Sequence, residues 1–289
     1  MFEGSTVALV TPFRDGKVDE KAMGDLVEFH LAKGTDALLP CGCTGEAATL
    51  DHEEQIRTIQ VVIEAAAGKV PVLAGTGSNS TREAIHLTGK ARKLGADAAL
   101  LISPYYNKPT QEGIYLHYKA VAEAVDIPVV LYNVPSRTGK SIEPETVARL
   151  SEIANIVAIK EASGSVDQSS AIAGLCDIII LSGDDSLTLP LMSVGARGVV
   201  SVAANVVPDR VAAMTRAWLD GDPEQARKIH YELLGLFKAL FIETNPIPVK
   251  TTLAEMGMIA GEFRLPLCPM SEANRGKLLS VIRKYKLTS

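Results

Sequence analysis

The sequence predicts a (β/α)8 barrel, an eight-stranded parallel barrel surrounded by helices. Within roughly its first 220 residues, each of a series of short aliphatic and β-branched runs precedes a longer segment with helical periodicity. The runs are apolar throughout rather than alternating, which is typical of parallel strands covered on both faces. The eight predicted strands are 6–10, 37–41, 71–75, 98–102, 128–132, 156–160, 177–181 and 198–202.

The segments between these runs have the start and stop signals of helices. Predicted helices include 20–33, 52–67, 81–94 and 111–125, and capping residues such as Asp51 and Ser80 precede two of them. A doubly wound open sheet is the alternative, and it usually has a glycine-rich fingerprint after its first strand. The segment "VTPFRDG" at that place does not match GxGxxG, so the barrel is favoured.

The pattern becomes purely helical after "GDPEQA", from Glu224 onward. We therefore predict a catalytic barrel over 1–222 and a small helical region over 223–289. The proline-rich stretches "ETNPIPVK" and "RLPLCP" indicate turns within that helical region.

Composition argues against several classes of protein. The 289 residues are 47% hydrophobic and 22% charged, with a net charge of −5 and no basic run suited to nucleic acid. The first residues lack a basic region followed by a signal-like apolar segment, and no apolar stretch approaches the ~20 residues that span a bilayer. We expect a cytoplasmic protein that binds neither nucleic acid nor membrane.

The four cysteines include Cys41 and Cys43, one residue apart. A large chain without an export signal argues against structural disulfides. A zinc site usually needs two clustered pairs of ligands, and no second pair is present in the sequence. We therefore predict no metal site, and we interpret Cys41 as a packing residue at a strand end.

Active sites of (β/α)8 barrels lie at the carboxyl ends of the strands, where this sequence places Lys160 and Tyr132. Lys160 ends an otherwise apolar strand, so desolvation would lower its pKa and supply a neutral amine able to form a Schiff base. Tyr132 ends the neighbouring strand, where a phenol could shuttle protons. The alternatives, a solvated lysine and a core tyrosine, stay open at this point.

The loops after the strands contain groups suited to anions. Arg137 could bind a carboxylate through two hydrogen bonds, although a surface ion pair is the default for one arginine. The segment 44–46 is predicted to open a helix whose N–H groups bind an anion, or simply to cap it. Asp184 and Asp185 are interpreted as helix caps rather than metal ligands.

The sequence resembles the dihydrodipicolinate synthase branch of the pyruvate-dependent aldolases that form a lysine Schiff base. The resemblance runs along the whole chain and rests on "GCTGEAATL", "SPYYNKPTQEG", "YNVPSRTG", "IKEASG", "LSGDD" and "NPIPVK". It implies condensation of pyruvate with L-aspartate 4-semialdehyde in lysine and diaminopimelate biosynthesis, without cofactor or metal. N-acetylneuraminate lyase and 2-keto-3-deoxy sugar-acid lyases belong to the same superfamily and generally lack the arginine of "YNVPSRTG".

The same resemblance implies roles for individual residues. Lys160 would form the Schiff base and Tyr132 would shuttle protons, while Arg137 would hold the carboxylate of aspartate semialdehyde. The pyruvate site would comprise Thr44, Gly45 and the main chain of Val200. Tyr106 would act across a tight dimer contact, within a homotetramer built as a dimer of dimers.

Two features depart from the family pattern. Cys43 occupies the position of a relay threonine, and a thiol is the weaker hydrogen-bonding group. We expect either a slower relay or a changed substrate preference.

Feedback inhibition by L-lysine would use Asn79, Glu83, Tyr105 and His52, whereas Ala47 and Gln55 differ from a well-known lysine-sensitive form. A sugar-acid lyase and a non-catalytic barrel that binds keto acids are the alternative functions.

Overall fold

The barrel is present and nearly closed in the computed structural model, which describes residues 2–288. Its eight parallel strands form one sheet in which β1 pairs with β2 and β8, and each later strand pairs with the next. A bridge between Leu38 and Val72 joins the remaining two edges. The strands are β1 (Gly4–Ala8), β2 (Ala37–Leu39), β3 (Leu73–Gly75), β4 (Ala98–Ile102), β5 (Val129–Asn133), β6 (Ile156–Glu161), β7 (Ile179–Ser182) and β8 (Gly198–Ser201).

Helices follow the strands and cover the outside of the barrel. The helices are α1 (Glu20–Ala32), α2 (His52–Ala66), α3 (Thr81–Leu94), α4 (Gln111–Ala124), α5 (Pro135–Thr138), α6 (Pro144–Ser151), α7 (Val166–Leu175), α8 (Thr188–Ser193), α9 (Pro208–Leu219), α10 (Pro223–Ala239), α11 (Ile247–Glu255) and α12 (Glu272–Lys284). The predicted caps are confirmed: Asp51 forms a capping box with Glu54, and the Ser80 side chain accepts from the Glu83 N–H.

The first strand begins earlier than its β-branched residues predict. The ladder between β1 and β8 starts at the pair Gly4 and Gly198. The strand ends at Ala8, whereas the predicted strand was 6–10. A Cβ on Gly198 would lie 2.2 Å from the Gly4 carbonyl oxygen, so the two strands approach closely only because of glycine. Glycine has a low propensity for strands, so the sequence pattern does not predict that β1 begins at Gly4.

The C-terminal helices pack against the barrel wall. Helix α10 lies along α9, and one hydrophobic cluster contains both barrel residues such as Val7 and helical residues such as Phe237. The boundary at residue 222 stays a prediction. Across residues 2–288, no helix combines the length and the apolarity that a membrane crossing requires.

Candidate active site

A cleft of about 520 Å3 opens at the carboxyl ends of the barrel strands. Its wall combines strand ends, the loop after β2, and the segment between α10 and α11. The lining residues include Cys43, Thr44, Tyr132, Arg137, Lys160, Gly183, Asp184, Phe241, Glu243 and Asn245. The C-terminal region therefore completes a site that the strands begin.

Lys160 is buried in this cleft, with only 6% of its surface exposed. The pKa of Lys160 is lowered to about 8, mainly by burial and also by the Arg137 guanidinium, while Cys43 and Asp185 act in the opposite direction. A substantial fraction of the amine is therefore neutral near physiological pH, as a nucleophile requires. The alternative of a solvated strand-end lysine is inconsistent with this burial.

Tyr132 and Lys160 occupy the same register on the paired strands β5 and β6. The Lys160 Nζ atom lies 4.2 Å from the centroid of the Tyr132 ring. Burial raises the pKa of the Tyr132 hydroxyl, the neighbouring Cys43 raises it further, and Arg137 opposes both. The phenol is thus kept protonated beside the amine and next to the thiol.

Gly183 leaves the space through which the Lys160 side chain passes. A Cβ built on Gly183 would lie 2.6 Å from the Ala162 Cβ and 3.1 Å from the Lys160 Cε. The glycine is therefore required for a close approach rather than for an unusual backbone angle.

The loop 43–46 is a turn and not the start of α2. A three-residue 3-10 helix, Ala47–Thr49, follows it, and α2 begins at His52. The prediction of a helix N-terminus here was wrong because Glu46 adopts a left-handed φ of 53°. Within residues 2–288, the N–H groups of Thr44 and Gly45 make no hydrogen bond. They can still serve an anion without a helix behind them.

Asn245 connects the two predicted carboxylate-binding groups. Its side-chain Nδ2 donates to the Thr44 hydroxyl oxygen at 3.0 Å, and its carbonyl oxygen accepts from the Arg137 guanidinium at 3.1 Å. Both Thr44 and Asn245 are buried. The segment before α11 therefore holds Thr44 and Arg137 in fixed relation to each other.

The two aspartates after β7 have different environments. The Asp184 side chain caps the 3-10 helix Asp185–Leu187, which confirms half of the sequence interpretation. That interpretation was wrong for Asp185, because its carboxylate accepts from the Ser201 hydroxyl and the Val202 and Ala203 N–H groups. The pKa of Asp185 is raised to about 6, because the effect of burial exceeds the opposing effect of these hydrogen bonds. Asp185 thus ties the loop after β7 to the loop after β8.

A second cleft of about 460 Å3 continues from Tyr132 and Arg137 toward the outside of the barrel. His52, Glu83 and Tyr105, three residues of the predicted lysine site, line it. Asn79 is held nearby, where its carbonyl oxygen accepts from Asn107 at 2.9 Å. The structure thus brings three of the four predicted residues together around one space.

Tyr106 and Val200 lie apart from the cleft lining. Tyr106 is 90% exposed and has a left-handed φ of 68° on the loop after β4. Val200 is buried on β8, paired with Thr6 of β1. The catalytic role of Tyr106 and the pyruvate contact of the Val200 main chain stay predictions.

Cys41 and Cys43 have different surroundings, and both are free thiols. Cys41 is buried with its sulfur 3.6 Å from the Gln55 carbonyl oxygen, and burial raises its pKa. This agrees with a packing role. Cys43 is partly exposed and lines both clefts.

Two residues of the site, Asn245 and Lys250, are not predicted from the sequence. Both lie in "NPIPVK", whose prolines predict a turn but assign no role to its side chains. Lys250 forms a buried ion pair with Glu46. Local sequence does not reveal this pairing, because the two residues lie far apart along the chain.

Comparison with known proteins identifies the family to which the chain belongs. The Dihydrodipicolinate synthetase family model matches residues 1–285. The 4-hydroxy-tetrahydrodipicolinate synthase of Geotalea daltonii is 58% identical over 289 residues, covering 99% of this chain and 100% of the relative. The dihydrodipicolinate synthase structure from Aquifex aeolicus superposes with a TM-score of 0.98 at 54% identity, covering 99% of both chains.

The structure of the enzyme from Cyanidioschyzon merolae, solved with lysine bound, has a TM-score of 0.96 at 44% identity and covers 99% of both chains. The chain is thus similar over its whole length, in sequence and in fold, to dihydrodipicolinate synthases. In this chain, Lys160, Tyr132 and Arg137 lie at the mouth of the barrel. The chain belongs to the dihydrodipicolinate synthetase family.

Proposed function

We propose that this chain condenses pyruvate with L-aspartate 4-semialdehyde, the 4-hydroxy-tetrahydrodipicolinate synthase reaction of lysine and diaminopimelate biosynthesis. The observation that carries the proposal is the buried Lys160 amine, with a pKa of about 8, beside Tyr132. Full-length relatives with this name support the assignment.

The reaction begins when the neutral Lys160 amine attacks the keto carbon of pyruvate. Tyr132 supplies and removes protons as the carbinolamine forms and loses water to give an iminium. Loss of a proton from the pyruvate methyl group gives an enamine, whose carbon bonds to the aldehyde carbon of the second substrate. The amino group of that substrate then displaces Lys160 from the imine carbon, which closes the ring and restores the free enzyme.

The two substrate carboxylates have separate partners. The free N–H groups of Thr44 and Gly45 face the pyruvate carboxylate, and the Thr44 hydroxyl adds a third polar group. Arg137 lies across the same cleft and binds the carboxylate of aspartate semialdehyde. Val200 contributes its main chain to the pyruvate site. Each substrate thus has its own carboxylate-binding group, and Arg137 is the one that binds the second substrate.

Assembly and regulation form the finer part of the proposal. Tyr106 would complete the proton relay from a second copy within a homotetramer, since its side chain is exposed and does not line the cleft of its own chain. L-lysine would bind in the second cleft, where Glu83, His52 and Tyr105 face one space. The lysine-bound relative supports this regulatory site.

Borohydride trapping tests the chemistry. The chain is incubated with pyruvate and reduced, and the mass of the Lys160 peptide is measured, with Lys160→Met as the control. An adduct on Lys160 alone is expected, and its absence would contradict any Schiff-base function, leaving a non-catalytic barrel. Turnover with aspartate semialdehyde then separates a synthase from a sugar-acid lyase, because only the lyase would cleave 2-keto-3-deoxy sugar acids efficiently.

A further inference from the structure

Lys250 and Glu46 form an ion pair in the protein interior, and both side chains are fully excluded from solvent. The Lys250 Nζ atom donates to the Glu46 Oε1 atom at 2.5 Å across 204 positions of sequence. Lys250 lies in α11, outside the barrel, whereas Glu46 ends the loop that carries Thr44 and Gly45. The pair therefore connects the C-terminal helices to the substrate-binding loop.

The surroundings of Lys250 are aromatic. Its Nζ atom lies 4.3 Å from the centroid of the Phe13 ring and 5.1 Å from that of Phe263. Burying two charges among such groups costs as much free energy as their attraction returns, and well-packed apolar residues often stabilise a fold equally well. Stability alone therefore gives no reason for an ion pair at this place.

Glu46 needs a partner that holds its side chain. Its backbone has a φ of 53°, a region that residues other than glycine rarely adopt. Within residues 2–288, the Glu46 Oε2 atom has no hydrogen-bond partner. Lys250 is thus the group that holds the carboxylate, and with it the orientation of this strained residue.

The backbone of Glu46 is directly connected to the substrate-facing part of the loop. Its N–H donates to the Cys43 carbonyl oxygen at 3.2 Å, which closes the turn around Thr44 and Gly45. On the other side of the turn, the Thr11 hydroxyl donates to the Gly45 carbonyl oxygen at 2.6 Å. A rotation of Glu46 would therefore change the direction of the free N–H groups within the turn.

We propose that Lys250 is a positioning residue for pyruvate binding, because it fixes Glu46 and thereby aims the N–H groups of Thr44 and Gly45 at the pyruvate carboxylate. The inference rests on the proposed function. It assigns to the C-terminal helical region a part in substrate affinity rather than in stability alone.

Two variants separate positioning from stability. In Glu46→Gln the amide oxygen still accepts from Lys250, so the contact is kept while a buried charge loses its partner and the melting temperature falls. In the double variant Glu46→Gln with Lys250→Met, both charges are gone and the melting temperature recovers, but the contact is lost. The pyruvate concentration that half-saturates borohydride trapping of Lys160 is measured for each variant.

We expect half-saturation within about twofold of the parent value for Glu46→Gln and about tenfold higher for the double variant, the effect of losing one hydrogen bond to a charged group. Between Glu46→Gln and the double variant, the melting temperature would then rise while the affinity for pyruvate falls. Any other pattern overturns the proposal, including wild-type half-saturation in the double variant or a half-saturation that follows the melting temperature.

The exposed pair Arg210–Glu232, which joins α9 and α10, provides a matched control. Replacing both of its members by glutamine should leave half-saturation unchanged. If the parent chain formed no Lys160 adduct, the proposed function itself would fail. If the parent chain is trapped normally and only the variant pattern differs from expectation, the role of Lys250 fails and the function stands.

Discussion

The Lys160 amine lies against the Tyr132 ring, 4.2 Å from its centroid, because the two residues pair at the same register of adjacent parallel strands. The strand ladder, rather than a flexible loop, thus sets the separation of the nucleophile and the phenol. A rigid backbone beneath both groups keeps the amine desolvated, which is the first cause of its lowered pKa. Changes to this geometry should therefore appear in the pH dependence of Schiff-base formation.

The rate of Schiff-base trapping should rise with pH and level off above a midpoint near 8, the pKa of Lys160. The neutral fraction of the amine increases about tenfold for each pH unit below that midpoint. Arg137→Gln removes a positive charge that lowers this pKa, so its midpoint should lie at a higher pH. Both midpoints are measured from initial trapping rates between about pH 5.5 and pH 9.5, roughly the range over which the neutral fraction of the amine changes. An unchanged or lower midpoint in the variant would contradict this electrostatic coupling.

Lys160→Met should abolish trapping and raise the stability of the protein at pH 7. The pKa is about 8 in the folded chain and 10.5 for the free group, so the unfolded chain binds more protons between those pH values. The stability of the parent chain should therefore rise with pH across that window, and the buried amine costs about 3 kcal/mol below it. Chemical denaturation at pH 7 and pH 10 tests this. A variant less stable than the parent at pH 7 would show that Lys160 contributes more by packing than it costs by desolvation.

Gly183→Ala should reduce trapping by at least about tenfold, because its Cβ would lie 3.1 Å from the Lys160 Cε and 2.6 Å from the Ala162 Cβ. The amine would have to leave its place over the Tyr132 ring. Gly174→Ala is the matched control, since a Cβ there meets nothing within 4 Å on the surface of α7. That control should keep full activity and gain ~0.5–1 kcal/mol of stability. Equal trapping rates in the two variants would show that Lys160 tolerates the added methyl group.

Asn245→Ala should raise the pyruvate concentration needed for half-saturation by about tenfold, since Thr44 loses its donor at 3.0 Å. The Thr44 hydroxyl would then be free to rotate away from the substrate carboxylate. Asn155→Ala is a useful comparison, because Asn155 donates to the Ala122 and Ile127 carbonyl oxygens away from the cleft. It should lower the melting temperature without changing half-saturation. The proposal for Asn245 fails if the two variants behave alike.

The sequence predicted what depends on local pattern and on the geometry common to all parallel barrels. Apolar runs located the strands, and the rule that sites lie at their carboxyl ends placed Lys160, Tyr132 and Arg137 beside one cleft. Because the strands pair in parallel, the sequence also predicts that Tyr132 and Lys160 are neighbours, and they are paired in the ladder.

The sequence could not predict contacts between distant segments. Lys250 and Glu46 are 204 positions apart, and Asn245 and Thr44 are 201 apart, so no local periodicity connects them. The sequence predicts a helix start at 44–46, where the structure has a turn, because residue type does not reveal the left-handed backbone of Glu46. Local sequence predicts a cap at Asp185 because its partners Ser201, Val202 and Ala203 lie at and just after the end of the next strand.

Cys43→Thr should keep or increase the rate of condensation. The Cys43 side chain interacts with the Tyr132 hydroxyl, and a threonine hydroxyl at this position donates and accepts stronger hydrogen bonds than a thiol. Steady-state turnover with both substrates measures the effect, and trapping with pyruvate alone shows whether the first half-reaction changes. A large loss of turnover would mean that the thiol has a role that a hydroxyl cannot fill.

Alkylation provides an independent measurement of where Cys43 lies. Cys43 is partly exposed and lines the cleft that contains Lys160, so bound pyruvate should slow its reaction with iodoacetamide. Cys268 is exposed and should react at the same rate with or without pyruvate, whereas Cys41 is buried with a raised pKa and should react slowest. Peptide mass spectrometry follows all three thiols in one sample. If pyruvate leaves the rate at Cys43 unchanged, the thiol does not face the substrate, and the replacement of a hydroxyl by a thiol at this position would have no direct consequence for the relay.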